Sequence, residues 1–185
     1  MNNYRINTNY AKALFMVATD TGNIERAKQD MVLVGEVMAE NRQLRSVFAN
    51  PTIRFDKKVG IVRELFGGEV SDEVMAFLVF VVKKNRSINL QGIADSFVEQ
   101  YRVAKGIVLS DLVTHQPIDD EARRTVTQLV EEYTGKQCEL HDRTDPKMLG
   151  GFKLEFDHNM YDARIRTKIR KLRLEFAKND YESKL

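Results

Sequence analysis

The chain has 185 residues, 43% of them hydrophobic, and its 29 basic and 27 acidic residues leave a formal net charge of +2. This length allows one domain or two modest ones, and this composition can build a packed core. So small a net charge excludes a whole-chain argument for nucleic-acid binding. The single cysteine, Cys138, cannot form an internal disulfide and is typical of a protein from a reducing compartment.

The N-terminus and the apolar runs argue against export and against membrane insertion. Residues 1–9 (MNNYRINTN) lack the basic start and the apolar run of a signal peptide. The longest apolar run has nine residues, whereas about 20 are needed to span a bilayer. We therefore expect a protein that is not integral to a membrane, and a peripheral position is compatible with the sequence.

The first half of the chain shows helical periodicity throughout. Residues 10–18 are apolar on two adjoining helical faces, and Gly22 is expected to end this helix. Asn23 is a candidate cap for the next helix, whose apolar residues recur at spacings of three and four: Ile24, Ala27, Met31, Val34 and Met38. Four more helical segments follow, three of which end at recognisable breakers: Asn50-Pro51, Gly67-Gly68 and Lys105-Gly106. About six helices joined by short polar loops are typical of a compact bundle.

The most apolar of these segments, residues 74–82 (VMAFLVFVV), would have no polar face as a helix. Acidic residues precede it and basic residues follow it, which complements the helix macrodipole. A helix that is apolar all the way round must be covered on more than one side. It is therefore either the centre of a bundle or a helix that gives part of its surface to another chain.

At Gly106 the period changes, and we place a domain boundary there. Residues 107–113 predict a strand of mixed burial, and a helical pattern over residues 122–133 ends at Gly135. Next come a short strand around residues 138–140, a hairpin over residues 152–162, and a last apolar stripe made of Ile165, Ile169, Leu172 and Phe176. The predicted fold is α+β and multidomain, with an N-terminal six-helix bundle in residues 1–106 and a small α/β domain in residues 107–185.

No pattern in the sequence indicates catalysis. His115, His141 and His158 stand far apart and show no metal-ligand spacing with Cys138, so each is interpreted as a surface or turn residue. The two Gly-Gly pairs lack the G-K-[ST] sequence of a phosphate loop. The carboxylates are spread along solvent faces rather than paired for acid–base chemistry. We expect a protein that is not an enzyme.

One local concentration of charge stands out in the last helix. Residues 164–173 (RIRTKIRKLR) contain six basic residues and no acidic one. Clustered Lys and Arg can contact phosphates, so a nucleic-acid-binding adaptor is one interpretation. The favoured interpretation is the solvated face of an amphipathic helix, because no aromatic residues are interleaved as in a single-strand platform.

Two stretches resemble a known family. Residues 10–15 (YAKALF), and residues 145–152 (DPKMLGGF) ahead of the hairpin and last helix, resemble the delta subunit of F-type ATP synthase, whose mitochondrial counterpart is the oligomycin sensitivity conferral protein. Further segments fall where the family pattern expects them: Asn50-Pro51, residues 61–66, Asn85-Arg86, Phe97 and residues 113–117. The resemblance covers nearly the whole chain.

The resemblance implies a non-catalytic stator subunit, active in ATP synthesis and hydrogen-ion transport, that resists rotor torque. In that family the N-terminal domain sits on the catalytic head and holds the N-terminal helix of an alpha subunit between its first and fifth helices. The C-terminal domain binds the C-terminal helix of the b-subunit stalk. The implied location is the cytoplasmic face of the bacterial inner membrane, peripheral and as part of the complex. Neither a cofactor, a metal, a small-molecule substrate nor a nucleic acid is expected.

The implied groove coincides with the two helices that are too apolar for a single core contact. We hypothesise that it is lined by residues of both helices: Tyr10, Ala13, Leu14 and Val17 with Ala76, Val79, Phe80 and Lys83. Within residues 74–82, Met75, Leu78 and Val82 would instead hold the bundle together. One alternative is that all of the lining residues except Lys83 are internal core. Another is an unrelated helical adaptor that uses the same groove for a different amphipathic helix.

Two details of the second half depart from the pattern or lie at its end. Where the family often has Asp-Gly-Ser after the hairpin, this chain has Asp162-Ala163-Arg164, so the junction with the last helix is expected to differ. Residues 178–185 are polar, which favours fraying.

Overall fold

The chain divides into two compact units, one ending at Ala104 and the other beginning at Lys105. The computed structural model describes residues 2–178. The fold is α+β: the first unit is helical and the second contains a small mixed sheet with two helices. The predicted boundary at residue 106 lies close to this division. Of the segment predicted to fray, residues 179–185 lie outside the described residues.

Within the described residues, the first unit contains six α-helices, the last preceded by a 3-10 turn at Ser87–Asn89: α1 (Asn2–Asp20), α2 (Ile24–Glu40), α3 (Arg42–Ala49), α4 (Phe55–Phe66), α5 (Asp72–Lys83) and α6 (Leu90–Lys105). The first helix begins eight residues before the predicted start, at Asn2 rather than residue 10. Polar contacts with the start of α6 accompany these early turns, and Asn89 Nδ2 donates to Asn7 Oδ1 at 2.7 Å. Such contacts leave no apolar period in the sequence.

Apolar side chains from all six helices meet in one core. Phe48, Phe66 and Phe97 are among its largest fully buried members. The apolar run of residues 74–82 is not uniformly buried. Five of its side chains are buried, namely Val74, Leu78, Val79, Val81 and Val82. Met75 and Phe77 pack partly against the core, whereas Ala76 and Phe80 are exposed. This helix thus packs against the core on most of its circumference and is open on one stripe.

Two buried charged groups tie loops to this core. The Asp30 carboxylate accepts hydrogen bonds from the backbone N–H and the hydroxyl of Ser71, at 2.8 and 2.7 Å, and pairs with Arg26 at 3.1 Å. The Lys58 ammonium donates to the Phe48 carbonyl at the end of α3, at 2.8 Å, and burial lowers the pKa of this lysine. These bonds satisfy the polar groups that burial removes from water.

The second unit is built on a four-stranded sheet of order β2-β1-β3-β4. Its elements are β1 (Ile107–Thr114), α7 (Asp120–Thr134), β2 (Gln137–Thr144), β3 (Phe152–Phe156), β4 (Asn159–Asp162) and α8 (Ile165–Lys178). Strands β1 and β2 are parallel, so they need the crossover that α7 provides. Strand β3 pairs antiparallel with β1 and with β4, and the second pairing is the predicted hairpin.

Helix α7 has the capping residues that its sequence indicates. The Asp119 carboxylate accepts a hydrogen bond from Ala122 N–H at 2.7 Å, and Gly135 ends the helix at φ 68°. One face of α7 packs on the sheet and forms a small core with two strands, β1 and β3: Val108, Leu112, Val130, Leu154 and Phe156. The side chain of Asn23, in contrast, makes no cap hydrogen bond to α2, so that prediction is wrong.

The junction between the hairpin and α8 is organised by a carboxylate rather than by a glycine. Asp162 accepts hydrogen bonds from the backbone and side chain of Arg164 and from the hydroxyl of Thr167. The close approach is made by Gly151 (φ 83°), where an added Cβ would lie 2.4 Å from the Ala163 carbonyl oxygen. The missing glycine after Asp162 is therefore compatible with an ordered junction.

Candidate functional site

The N-terminal end of α5 is fastened to the turn between α1 and α2. Thr21 Oγ1 and Asn23 Nδ2 each donate to a different oxygen of the Glu73 carboxylate, both at 3.1 Å. Asn23, the residue predicted as a helix cap, therefore holds α5 instead. Further along, the rings of Tyr10 and Phe80 approach to 6.2 Å between centroids at a tilt of 47°. These contacts fix α1 and α5 side by side.

Between the two helices lies an open groove of about 530 Å³ with an almost wholly apolar lining. Its walls come from both helices: Asn9, Tyr10, Ala13, Leu14 and Val17 on α1, and Glu73, Ala76, Phe77 and Phe80 on α5. Leu14 is buried at the base, whereas Val17 and Phe80 are 50% and 47% exposed. Side chains of this size are usually covered, so the groove is an unfilled apolar surface.

Six of the eight residues hypothesised for this groove line it, and two do not. Tyr10, Ala13, Leu14, Val17, Ala76 and Phe80 are in its walls. Val79 points into the core and is only 9% exposed, which places it with the bundle instead. Lys83 is exposed but lies outside the lining. The alternative that all but Lys83 are internal core is wrong for Ala13, Val17, Ala76 and Phe80, which are exposed.

Three lining residues were missed by the sequence interpretation: Asn9, Glu73 and Phe77. A periodic signal for two of them was present, because Glu73, Ala76, Phe77 and Phe80 follow one another at spacings of three, one and three and therefore share a helix face. The sequence hypothesis named Val79 instead, which does not lie on that face of the helix.

The groove carries opposite charges near its two ends. The Glu73 carboxylate lies in the lining at the start of α5. At the other end of the same helix the Lys84 ammonium is 5.6 Å from the centroid of the Phe80 ring. The apolar surface of the groove is therefore flanked by an acidic group near one end and a basic group near the other.

Within residues 2–178, no group of histidine, cysteine and carboxylate side chains is arranged to hold a metal ion. The Cys138 thiol donates to Ser110 Oγ at 3.3 Å, and burial raises its pKa. A raised pKa opposes thiolate formation and hence nucleophilic chemistry. None of the helices in this part of the chain combines the length and the apolar content that crossing a bilayer would require.

The second unit presents a different surface in α8. Its apolar stripe is exposed along the described side chains: Ile165, Ile169, Leu172 and Phe176. The basic residues of the same helix flank this stripe, so α8 has an amphipathic sequence whose apolar side is not buried. The described basic side chains of α8 are exposed, as expected for the solvated face of an amphipathic helix.

Comparison with known proteins agrees with this architecture. Residues 6–176 match the family described as ATP synthase delta (OSCP) subunit. The ATP synthase subunit delta of Cytophaga hutchinsonii is 33% identical over 177 residues, covering 96% of this chain and 97% of the relative. That of Salinibacter ruber is 33% identical over 169 residues, covering 91% and 89%.

A solved structure shows the same fold. A chain in the cryo-EM structure of the Toxoplasma gondii mitochondrial ATP synthase hexamer superposes with a TM-score of 0.70 at 20% identity, covering 92% of this chain and 97% of that one. Neither the nucleic-acid-binding alternative nor an unrelated adaptor is supported by these similarities. By sequence over nearly its whole length, the chain belongs to the ATP synthase delta (OSCP) subunit family, whose members are non-catalytic peripheral-stalk subunits of F-type ATP synthase.

Proposed function

We propose that the helices α1–α6 form a six-helix bundle that binds the catalytic head, and that the groove between α1 and α5 holds the N-terminal helix of an alpha subunit. The second unit would bind the C-terminal helix of the b-subunit stalk. The protein would then connect head and stalk and resist rotor torque without doing chemistry. The single observation that supports the head contact best is the exposed apolar groove itself.

The dimensions and chemistry of the groove favour a helix as its occupant. Its lining runs along α1 from Asn9 to Val17, eight residues apart, which is about 12 Å or just over two helical turns. An amphipathic helix laid in such a groove presents apolar residues at spacings of three and four. Burying a Val or Phe side chain stabilises by roughly 1.5 to 3 kcal/mol, so a few anchors supply much of an affinity.

The head contact can be tested by calorimetry with a synthetic peptide that reproduces the N-terminal helix of the alpha chain. We expect Phe80→Asp to weaken peptide binding at least about tenfold, because a charge would be buried in the apolar interface. Phe55→Asp is a matched control, since Phe55 on α4 is 45% exposed and lies outside the groove lining. If Phe80→Asp leaves both the fold and the peptide affinity unchanged, the groove assignment is wrong.

Helix α8 supports the stalk contact. Its apolar residues recur at spacings of 4, 3 and 4, the seam of a two-helix contact. Basic residues flank that seam, so the matching helix is amphipathic with acidic flanks. We expect Leu172→Asp to weaken binding of a peptide from the C-terminal helix of the stalk about tenfold or more, and Leu149→Asp, at an exposed leucine outside α8, to leave it unchanged. Equal affinities for the two variants would place the stalk contact elsewhere.

The proposed location is the cytoplasmic face of a bacterial inner membrane, reached only through the complex. The bacterial origin of the relatives from Cytophaga hutchinsonii and Salinibacter ruber supports it. Co-purification of the native protein with the other ATP synthase subunits from membranes tests this assignment. Recovery free of those subunits would contradict it.

A further inference from the structure

An acidic, apolar trench crosses the sheet of the second unit beside α7. Two adjoining hollows of about 900 and about 430 Å³ share Thr125, Val126 and Phe152, and so form one continuous depression. Leu112 and Leu154 lie on its floor. One wall is α7 and the other is the edge strand β4, which contributes Met160 and Tyr161.

Several large apolar side chains of the trench are exposed to solvent. Leu129 and Tyr133 on α7, and Met160 and Tyr161 on β4, are each more than half exposed. Two ring contacts hold its aromatic side chains in place: Tyr133 meets Phe156 edge-on at 5.6 Å, and Phe152 stacks with Tyr161 at 5.8 Å. Clustered exposed aromatics with fixed geometry are typical of an interaction surface.

The layer architecture leaves space for a helix at this position. Helix α7 is fastened to β2, since Arg123 pairs with Asp142 at 2.6 Å and the Cys138 N–H donates to Glu131 at 3.1 Å. On the other side, α7 covers β3 only in part and leaves β4 largely open: Leu154 and Phe156 are buried, whereas Phe152 is half-buried and Tyr161 is exposed. Two strands are about 10 Å wide, the diameter of one α-helix. The wall from Ala122 to Tyr133 is about 16 Å long, or three helical turns.

The charges of the trench restrict its occupant. Every charged side chain in the lining is acidic: Asp119, Glu121 and Glu132. On α7, the Arg123 side chain pairs with Asp142 of β2 and therefore lies on the flank away from the trench. An acidic rim over an apolar floor favours cationic groups beside an apolar stripe.

We propose that this trench docks an amphipathic α-helix of a partner protein, about three turns long, with a continuous apolar stripe and Lys or Arg on its flanks. This chemistry is the opposite of what α8 fits, because α8 is basic and requires acidic flanks in its partner. The second unit therefore has two helix-docking surfaces of opposite charge. The inference goes beyond the stalk contact proposed above and does not depend on it.

Two synthetic helical peptides with the same leucine stripe, one with lysine flanks and one with glutamate flanks, test the proposal by fluorescence anisotropy on the full-length protein. We expect Leu129→Glu to weaken binding of the lysine peptide about tenfold or more. Tyr161→Glu, on the opposite wall, should do the same, because Tyr161 pairs with Leu154 and shares its face of the sheet. Leu149→Glu is the matched control in the same unit, because this exposed leucine lies outside the trench.

The charge requirement has its own test. Glu132→Lys should weaken the lysine peptide and strengthen the glutamate peptide, whereas Glu64→Lys, an equal change of net charge on α4, should do neither. Unchanged affinity of the lysine peptide in Leu129→Glu and Tyr161→Glu overturns the proposal. A tighter complex with Leu172→Glu, or a protein dimer that this variant abolishes, also overturns it, since the occupant would then be α8. If the unmodified protein does not bind the stalk peptide but still binds the lysine peptide, only the stalk contact is refuted.

Discussion

Helices α5 and α8 both carry a continuous apolar stripe, yet only α5 buries most of its apolar side chains. Helix α5 buries five side chains among its neighbours and leaves one stripe open. Along the described side chains of α8, from Ile165 to Phe176, the whole apolar stripe is exposed. One helix is a core element with an exposed edge, whereas the other leaves its apolar stripe uncovered. Apolar content alone therefore does not say which partner, internal or external, a helix has.

The two units differ in the same sense. The helical unit closes its core with contributions from every helix, whereas the core of the second unit centres on five buried residues of α7 and the sheet. A small core stabilises a domain less, because less apolar area leaves water on folding. We expect substitutions of buried residues to cost more stability in the first unit than in the second.

The largest difference is expected between two leucines. Leu78 on α5 is fully buried, and Leu78→Ala should cost about 2 to 5 kcal/mol of unfolding free energy through lost burial and a cavity. Leu172 on α8 is 51% exposed, and Leu172→Ala should change stability by no more than about 0.5 kcal/mol. Denaturant unfolding followed by circular dichroism measures both. Equal losses of unfolding free energy would show that α8 is packed in the free protein and that α5 and α8 do not differ in burial.

A smaller effect is expected at a buried carboxylate. Asp30→Ala leaves the Ser71 N–H without its acceptor, and should destabilise the helical unit by about 1 to 3 kcal/mol. Asp56→Ala removes an exposed pair with Arg54 at 3.2 Å, so its expected cost is about 0 to 1 kcal/mol. Thermal unfolding of the two variants compares them directly. An Asp30→Ala protein as stable as Asp56→Ala would mean that the start of α5 does not need this anchor.

The smallest effect concerns the base of α8. Hydrogen bonds from Arg164 lower the pKa of Asp162 below its ordinary value, so the ionised carboxylate stabilises the folded state. That contribution is complete above the unfolded-state pKa of roughly 4 and is lost as the pH falls through the lower folded-state pKa. Asp162→Asn should therefore lower the unfolding temperature of the second unit near neutral pH, with a difference that shrinks in acid.

Asp157→Asn is the control for this pH dependence, because Asp157 lies in the hairpin turn at φ 50°, a conformation that asparagine tolerates. Calorimetric scans from neutral pH down to about pH 2 follow the Asp162→Asn difference as it is lost below the unfolded-state pKa of roughly 4. A difference for Asp162→Asn that stays constant with pH would exclude the ion pair as its cause.

Periodicity was a good guide where apolar packing determines structure. The hairpin over residues 152–162, the helix ended by Gly135 and the helical stripes of the first unit follow from alternation and from spacings of three and four. It was a poor guide where polar contacts determine structure. In the early turns of α1, Asn7 and Thr8 accept hydrogen bonds from residues more than 80 positions away in the sequence. The Asn23 side chain donates a hydrogen bond to Glu73 instead of capping α2.

The groove shows the same division between α1 and α5. The sequence alone determined that these two helices have apolar surface to spare, because a count of apolar residues around a helix does not depend on its neighbours. Only the tertiary structure decided which side chains stay outside, exposing Phe80 and burying Val79, since adjacent positions on a helix differ by about 100° and the packed neighbours determine which direction faces the core. The trench beside α7 could not be predicted from the sequence for a related reason. Its walls are distant in sequence and are brought together only by strand pairing.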